Sequence, residues 1–140
     1  MTHSTTLMTK IESKKVTVAA SPDQVSAFLT NTDNIQKLLP EGKYSDWKSD
    51  GTVCSFKIQG AYTIGLRIKE IISNTNVIYE STEGSPFAFT LNTHISPTET
   101  GSEAYLLCDA QLNPFLEMIV KGPLKNLFDY MADRCTTAIQ

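Results

Sequence analysis

The sequence predicts an α+β domain in which a curved, seven-stranded antiparallel sheet wraps one long C-terminal helix, with two short helices after the first strand. Three observations carry this. Segments of period-two alternation recur from Lys43 to Leu112 with turn residues between them. A helical apolar period fills the last 25 or so residues, beginning at Asn113-Pro114. The stretch SPDQVSAFLTNTDNIQKLLP, residues 21–40, holds two capped helical starts in close succession.

Each element has its own warrant. Residues 8–19 alternate, with β-branched Ile11, Val16 and Val18, and read as the first strand. Ser21 suits an N-cap, Pro22 the first helical position, and Gln24 completes a capping box. Val25, Phe28 and Leu29 form the apolar face. The NTDN run stops that helix and starts another, capped near Asp33 or Asn34, with Ile35, Leu38 and Leu39 inward and Pro40 and Gly42 at its end. Asp50-Gly51 marks a hairpin between KYSDWKSD and TVCSFKIQ. Gly60, Asn74 to Asn76, EGSP and PTETG separate the strands that follow, giving an antiparallel meander. In the last helix Pro123 lies inside the period and predicts a bend there.

The 140 residues, 41% hydrophobic and 19% charged, suit one domain with a substantial core, residues 1–7 reading as a loose tail. A net charge of −3, with 12 basic residues scattered, argues against nucleic acid or an anionic membrane surface as partner. No apolar run approaches the roughly 20 residues that span a bilayer, and the N-terminal ten lack a signal-peptide core. Cys54, Cys108 and Cys135, without CxxC spacing, predict reduced thiols and a cytoplasmic setting. His3 and His94 are far apart and no phosphate loop occurs, so neither a metal nor a cofactor is expected.

The order of elements, and two stretches in particular, resemble the START and birch-pollen-allergen superfamily, also called the polyketide cyclase/dehydrase and lipid transport group. The stretch at 21–40 is similar to that group's helix pair, in which a serine-proline cap follows strand one. DAQLNPFLEMIVKGPLKNLFDYMADR is similar to its last strand running into the long helix. The resemblance covers nearly the whole chain and implies a helix-grip fold. It implies two functions above others: carriage of a hydrophobic small molecule, and polyketide cyclase or aromatase chemistry. Co-chaperone-like protein interaction is a third.

Alternation sorts the strands. Cys54, Phe56 and Ile58 share a face, as do Tyr62, Ile64, Leu66 and Ile68; Phe87, Phe89, Leu91, Thr93 and Ile95; and Ala104, Leu106, Cys108, Ala110 and Leu112. In VIYEST, Val77 and Tyr79 compete with Ile78 and Glu80 for the inside. The inner set, with Leu116, Ile119, Val120 and Leu124 of the helix, predicts an apolar site with Tyr62, Tyr79 and Thr93 as polar handles. Pro123 and the turns at 60–63 and 84–87 would gate it. The same residues equally describe a filled core.

Catalytic groups are scarce. His94, Asp109 and Gln111 fall on the outer face, and Asp129 and Asp133 on a solvated helix face. The cysteines have no partner to lower their pKa. Glu80 is the one acid whose register could bring it inside, where burial would raise its pKa. Trp47 sits on the edge hairpin, either packing or covering the cavity mouth. Lys57, Arg67, Lys69, Asn92 and Asp109 predict a polar outer face, which counts against a protein-docking surface there.

Overall fold

The computed structural model describes residues 8–58 and 62–139; the expected tail at 1–7 and the turn at Gly60 lie outside them. The strands are β1 (Met8–Glu12), β2 (Val16–Val18), β3 (Tyr44–Ser49), β4 (Val53–Ile58), β5 (Tyr62–Ile72), β6 (Asn76–Ser81), β7 (Phe89–Thr98) and β8 (Gly101–Gln111). The helices are α1 (Pro22–Leu29), a 3₁₀ helix (Thr32–Leu38) and α2 (Pro114–Ala138). The sheet is antiparallel in the order β1-β8-β7-β6-β5-β4-β3, with β2 also on β8.

The sheet therefore has eight strands, because the first predicted strand is broken. Glu12 pairs with Leu107 and Val16 with Ala104, so Ser13, Lys14 and Lys15 stand opposite only Leu106 and Tyr105. This is a one-residue bulge. Ser13 repairs the ladder: its N–H donates to the Leu106 carbonyl at 2.8 Å, and its hydroxyl accepts from the Leu106 N–H at 2.9 Å. The Lys14 N–H turns away and donates to Asp129 of α2 at 2.7 Å, while Lys14 Nζ pairs with Asp133 at 2.9 Å. The two aspartates read as a solvated face thus tether the helix to the bulge.

A second bulge shapes β3. Tyr44 pairs with Ile58 and Ser49 with Cys54, a register that shifts between Ser45 and Lys48. Asp46 takes the extra position with φ 56°, a left-handed conformation that aspartate tolerates better than most residues. The insertion changes the parity of the strand and turns Trp47 inward. There it stacks on Phe56 with ring centroids 6.1 Å apart. A third shift, between Ile68 and Glu70, lies in β5.

The helices start where their caps dictate. Ser21 and Gln24 form the reciprocal capping box. The second short helix is capped by Asn31, two residues before Asp33, the nearer of the two expected caps, and is a 3₁₀ helix. Asn113 caps α2, its side chain accepting from the Leu116 N–H at 2.8 Å. The helix runs unbroken through Pro123, a single long helix as expected. Ile119 and Pro123 are both exposed, and water can serve the Ile119 carbonyl that proline leaves without a donor.

The concave face of the sheet is shared between helices. α2 packs on β1, β2, β8 and the 3₁₀ helix; α1 lies on β6, β7 and β8; the 3₁₀ helix reaches β3, β4 and β5. The short helices, expected to close one end, cover the centre. Tyr79 locks them there: buried on β6, it donates its hydroxyl to the Leu29 carbonyl at 2.5 Å. That carbonyl, in the last residue of α1, has no intrahelical partner and would otherwise be orphaned.

Two outcomes are expected. Replacing Asp46 with Gly should hold or raise the melting temperature, whereas Asp46→Val should lower it by several degrees, since a β-branched residue at this φ costs about 1–2 kcal/mol. For Asp129, burial raises the carboxyl pKa, but the Lys14 N–H, the Lys125 ammonium and the two lysine charges outweigh it and hold the pKa below its ordinary value. A lowered folded-state pKa stabilises above about pH 3.9, and that stability is lost as pH falls through the folded value. Asp129→Asn should therefore melt a few degrees lower at pH 7, about 1 kcal/mol or less for so open a site, and the gap should close below pH ~4.

Candidate functional site

Alternation placed the inner face correctly. Cys54, Phe56, Ile64, Leu66, Phe87, Phe89, Leu91, Leu106 and Cys108 are buried on the concave side, and VIYEST resolves with Val77 and Tyr79 inward. Ile58, Tyr62, Ile68 and Leu116 are half-buried. Val120 and Leu124 are buried on α2, but Ile119 is 42% exposed.

At the centre of the sheet these side chains form a filled core. Phe56, Leu66, Tyr79, Leu91, Cys108 and Val120 are each 1% exposed, which leaves no room for even a water against them. Tyr79, expected as a ligand handle, spends its hydroxyl on Leu29. Thr93, another of the expected handles, is buried, and its hydroxyl has no partner among the described residues.

Space remains at the rim. A cleft of about 380 Å³ is lined by Pro40, Lys43, Ile58, Pro123, Asn126, Leu127 and Tyr130. It opens between α2, the end of β4 and the segment after the 3₁₀ helix. Along α2, Ile119, Pro123, Asn126 and Tyr130 follow at helical intervals, so Ile119 stands one turn before the cleft on the same stripe, with Phe115 a turn before it. Phe115 is 64% exposed. Of the residues predicted to line the site only Ile58 lines this cleft, together with Pro123, expected as part of its gate. Asn126 and Tyr130 were missed because only the inward apolar positions of the helix were counted, and Leu127, one of those positions, reads as plain core. The i+7 and i+11 spacing from Ile119 was the signal available. Pro40 and Lys43 had been read as helix end and strand start.

The acid–base inventory of the interior is thin. Burial pushes the thiols of Cys54, Cys108 and Cys135 up to about 12, which keeps them protonated. Burial, and then the neighbouring Cys54 and Cys135, raises the Tyr79 hydroxyl above its ordinary range. Glu80 turns outward and pairs with Arg67 at 3.2 Å, so it is not the interior acid that one register allowed. His94 is on the outer face as expected. It stacks on Tyr105 at 4.6 Å, and its Nδ1 meets Asn76 Nδ2 at 3.3 Å. Trp47 packs on Phe56. No group of His, Cys, Asp or Glu among the described residues is arranged to hold a metal.

Solved structures share this architecture. The KanY protein superposes with a TM-score of 0.74 at 17% identity, over 93% of this chain and 96% of that one. Norcoclaurine synthase from Thalictrum flavum, a point mutant in complex with a transition-state analogue, gives 0.71 at 18%, over 96% of each. The chain has the helix-grip fold. The di-domain aromatase/cyclase StfQ of the steffimycin biosynthetic pathway gives 0.70 at 13%, covering 95% of this chain and 51% of that one. At these identities the likenesses show the fold alone. No protein-family model matches the chain, and no curated protein does.

Tyr79→Phe tests the filled centre. It leaves the Leu29 carbonyl buried without its donor, so the protein should lose about 1–3 kcal/mol in denaturant unfolding while its affinity for the neutral dye N-phenyl-1-naphthylamine stays the same as the parent protein's. A loss of binding at equal stability would put Tyr79 back in the site.

Proposed function

We propose that this protein binds a hydrophobic small molecule, such as a lipid, an isoprenoid or an aromatic metabolite, in the cleft between the end of β4 and α2. The observation that carries this is the exposed apolar stripe of α2, Phe115 and Ile119, leading into Pro123 and Leu127 across from Ile58. Isolated apolar side chains on a surface need no explanation, but a row of them entering a cleft does. Covering the row would gain roughly 25 cal/mol for each Å² removed from water. Asn126 and Tyr130 supply the few polar groups that orient a ligand in an apolar site. The capture of norcoclaurine synthase with a transition-state analogue, in the same fold, is in keeping with this use.

A second reading, a cyclase-like enzyme, rests on Lys43 and Tyr130, the titratable side chains of the cleft. Such chemistry needs a group positioned to move a proton. The interior offers none, since Glu80 and His94 face out and the thiols stay protonated. The carrier reading is therefore the better supported.

Native mass spectrometry of the purified protein, with extraction of retained compounds, would identify the ligand class. The site is tested with the neutral dye N-phenyl-1-naphthylamine. Asn126→Trp fills the cleft from an exposed helix position, so dye affinity should fall at least tenfold with the melting temperature within about 2 °C. Unchanged affinity would remove the cleft from consideration.

A further inference from the structure

The apolar cleft adjoins a second, polar basin of about 740 Å³. Pro40, Lys43 and Tyr130 line both. The basin lies between the 3₁₀ helix and the C-terminal half of α2 and carries Lys37, Lys43 and Arg134 against the single carboxylate of Glu41. In a chain of net charge −3 this local excess of cations is not a reflection of composition.

Arg134 is held in place there. One guanidinium nitrogen donates to Thr137 Oγ1 at 2.9 Å and another to the Lys37 carbonyl at 3.3 Å. These are neutral acceptors, so its charge is not neutralised and further N–H donors remain for a ligand. The ion pairs among the described residues use Lys10, Lys14, Arg67 and Lys125, not Lys43 or Arg134. Lys37 is partly occupied, its ammonium lying 5.8 Å from the ring centroid of Phe28. The Tyr44 hydroxyl, accepting from Gln36 Nε2 at 3.1 Å, completes a polar wall.

One side of α2 therefore grades from apolar to cationic: Ile119, Pro123 and Leu127, then Asn126 and Tyr130, then Arg134. Pro123 and Arg134 are eleven residues apart, about 16 Å along the axis at 1.5 Å per residue. That is the reach of a medium-length acyl chain. We infer that the ligand is an amphiphile with one anionic headgroup, its apolar body in the cleft and its carboxylate or phosphate in the basin against Lys43 and Arg134. The bidentate geometry of guanidinium suits either head. This inference rests on the carrier reading and narrows its ligand.

The test compares dodecanoate, dodecan-1-ol and dodecyltrimethylammonium, below their micellar concentrations, as competitors of N-phenyl-1-naphthylamine. Dodecanoate should bind at least tenfold more tightly than the alcohol, and the cation most weakly. Arg134→Gln should erase the preference for dodecanoate while alcohol affinity stays put, and Lys43→Gln, at a residue that also lines the cleft, should lower dodecanoate affinity more than alcohol affinity. Arg134→Lys should restore part of it, and Lys48→Gln, on the outer side of β3, should leave it intact. Raising salt should weaken dodecanoate alone. Equal affinity for acid and alcohol would overturn the headgroup inference and leave the carrier reading standing. Failure of dye and all three amphiphiles to bind would overturn both. Binding to vesicles rich in anionic lipid without binding of dodecanoate would also overturn it, in favour of docking on a bilayer surface.

Discussion

A helix longer than the surface that holds it governs this molecule. α2 has 25 residues, about 37 Å at 1.5 Å per residue, and its buried positions run from Val120 to Cys135. It is fixed along one margin of the sheet, where Asp129 and Asp133 take hold of Lys14 at the bulge between β1 and β2. Its first turn is tied to β1 through Thr9, whose hydroxyl donates to Glu117 at 3.0 Å, yet Phe115, Met118 and Ile119 stay in solvent. The cleft follows from this asymmetry: a helix pinned along β1, β2 and β8 cannot also close on the end of β4.

The asymmetry also sets what the short helices do. With α2 at one margin, the middle of the concave face needs another cover. α1 and the 3₁₀ helix provide it, and the broken form of residues 21–40 lets each lie over different strands. The Tyr79–Leu29 hydrogen bond fixes the first to the sheet, and Thr32, buried and bonded to Ser49 at 2.9 Å, fixes the second. A filled centre and an open rim are two results of one division of labour.

Much of this was legible in the chain. Ser21-Pro22, Asp50-Gly51 and Asn113-Pro114 each name a local conformation with few alternatives, and each stands where it was expected. The inward set from Phe56 to Cys108 followed from period two. What escaped was any feature in which one residue is added. The bulges at Ser13–Lys15 and Asp46 break the count on which alternation depends, and Trp47 reached the inner face only because Asp46 absorbed a position. The cleft escaped for another reason. Its residues come from three distant segments, and Tyr130 or Lys43 becomes a wall only after α2 has been docked off-centre.

The same two bulges bear on how readily the sheet could pair with other chains at its edges. An open sheet has two free margins, and an unbroken strand at either is a template for another chain to pair with. Here one margin is β3, interrupted at Asp46 and carrying Lys48, while the other is the pair β1 and β2, interrupted at Ser13–Lys15. Among the described residues neither margin presents a long regular run of donors and acceptors. The irregularities that turn a tryptophan inward and moor a helix thus also deny neighbouring molecules an edge on which fibrils could grow.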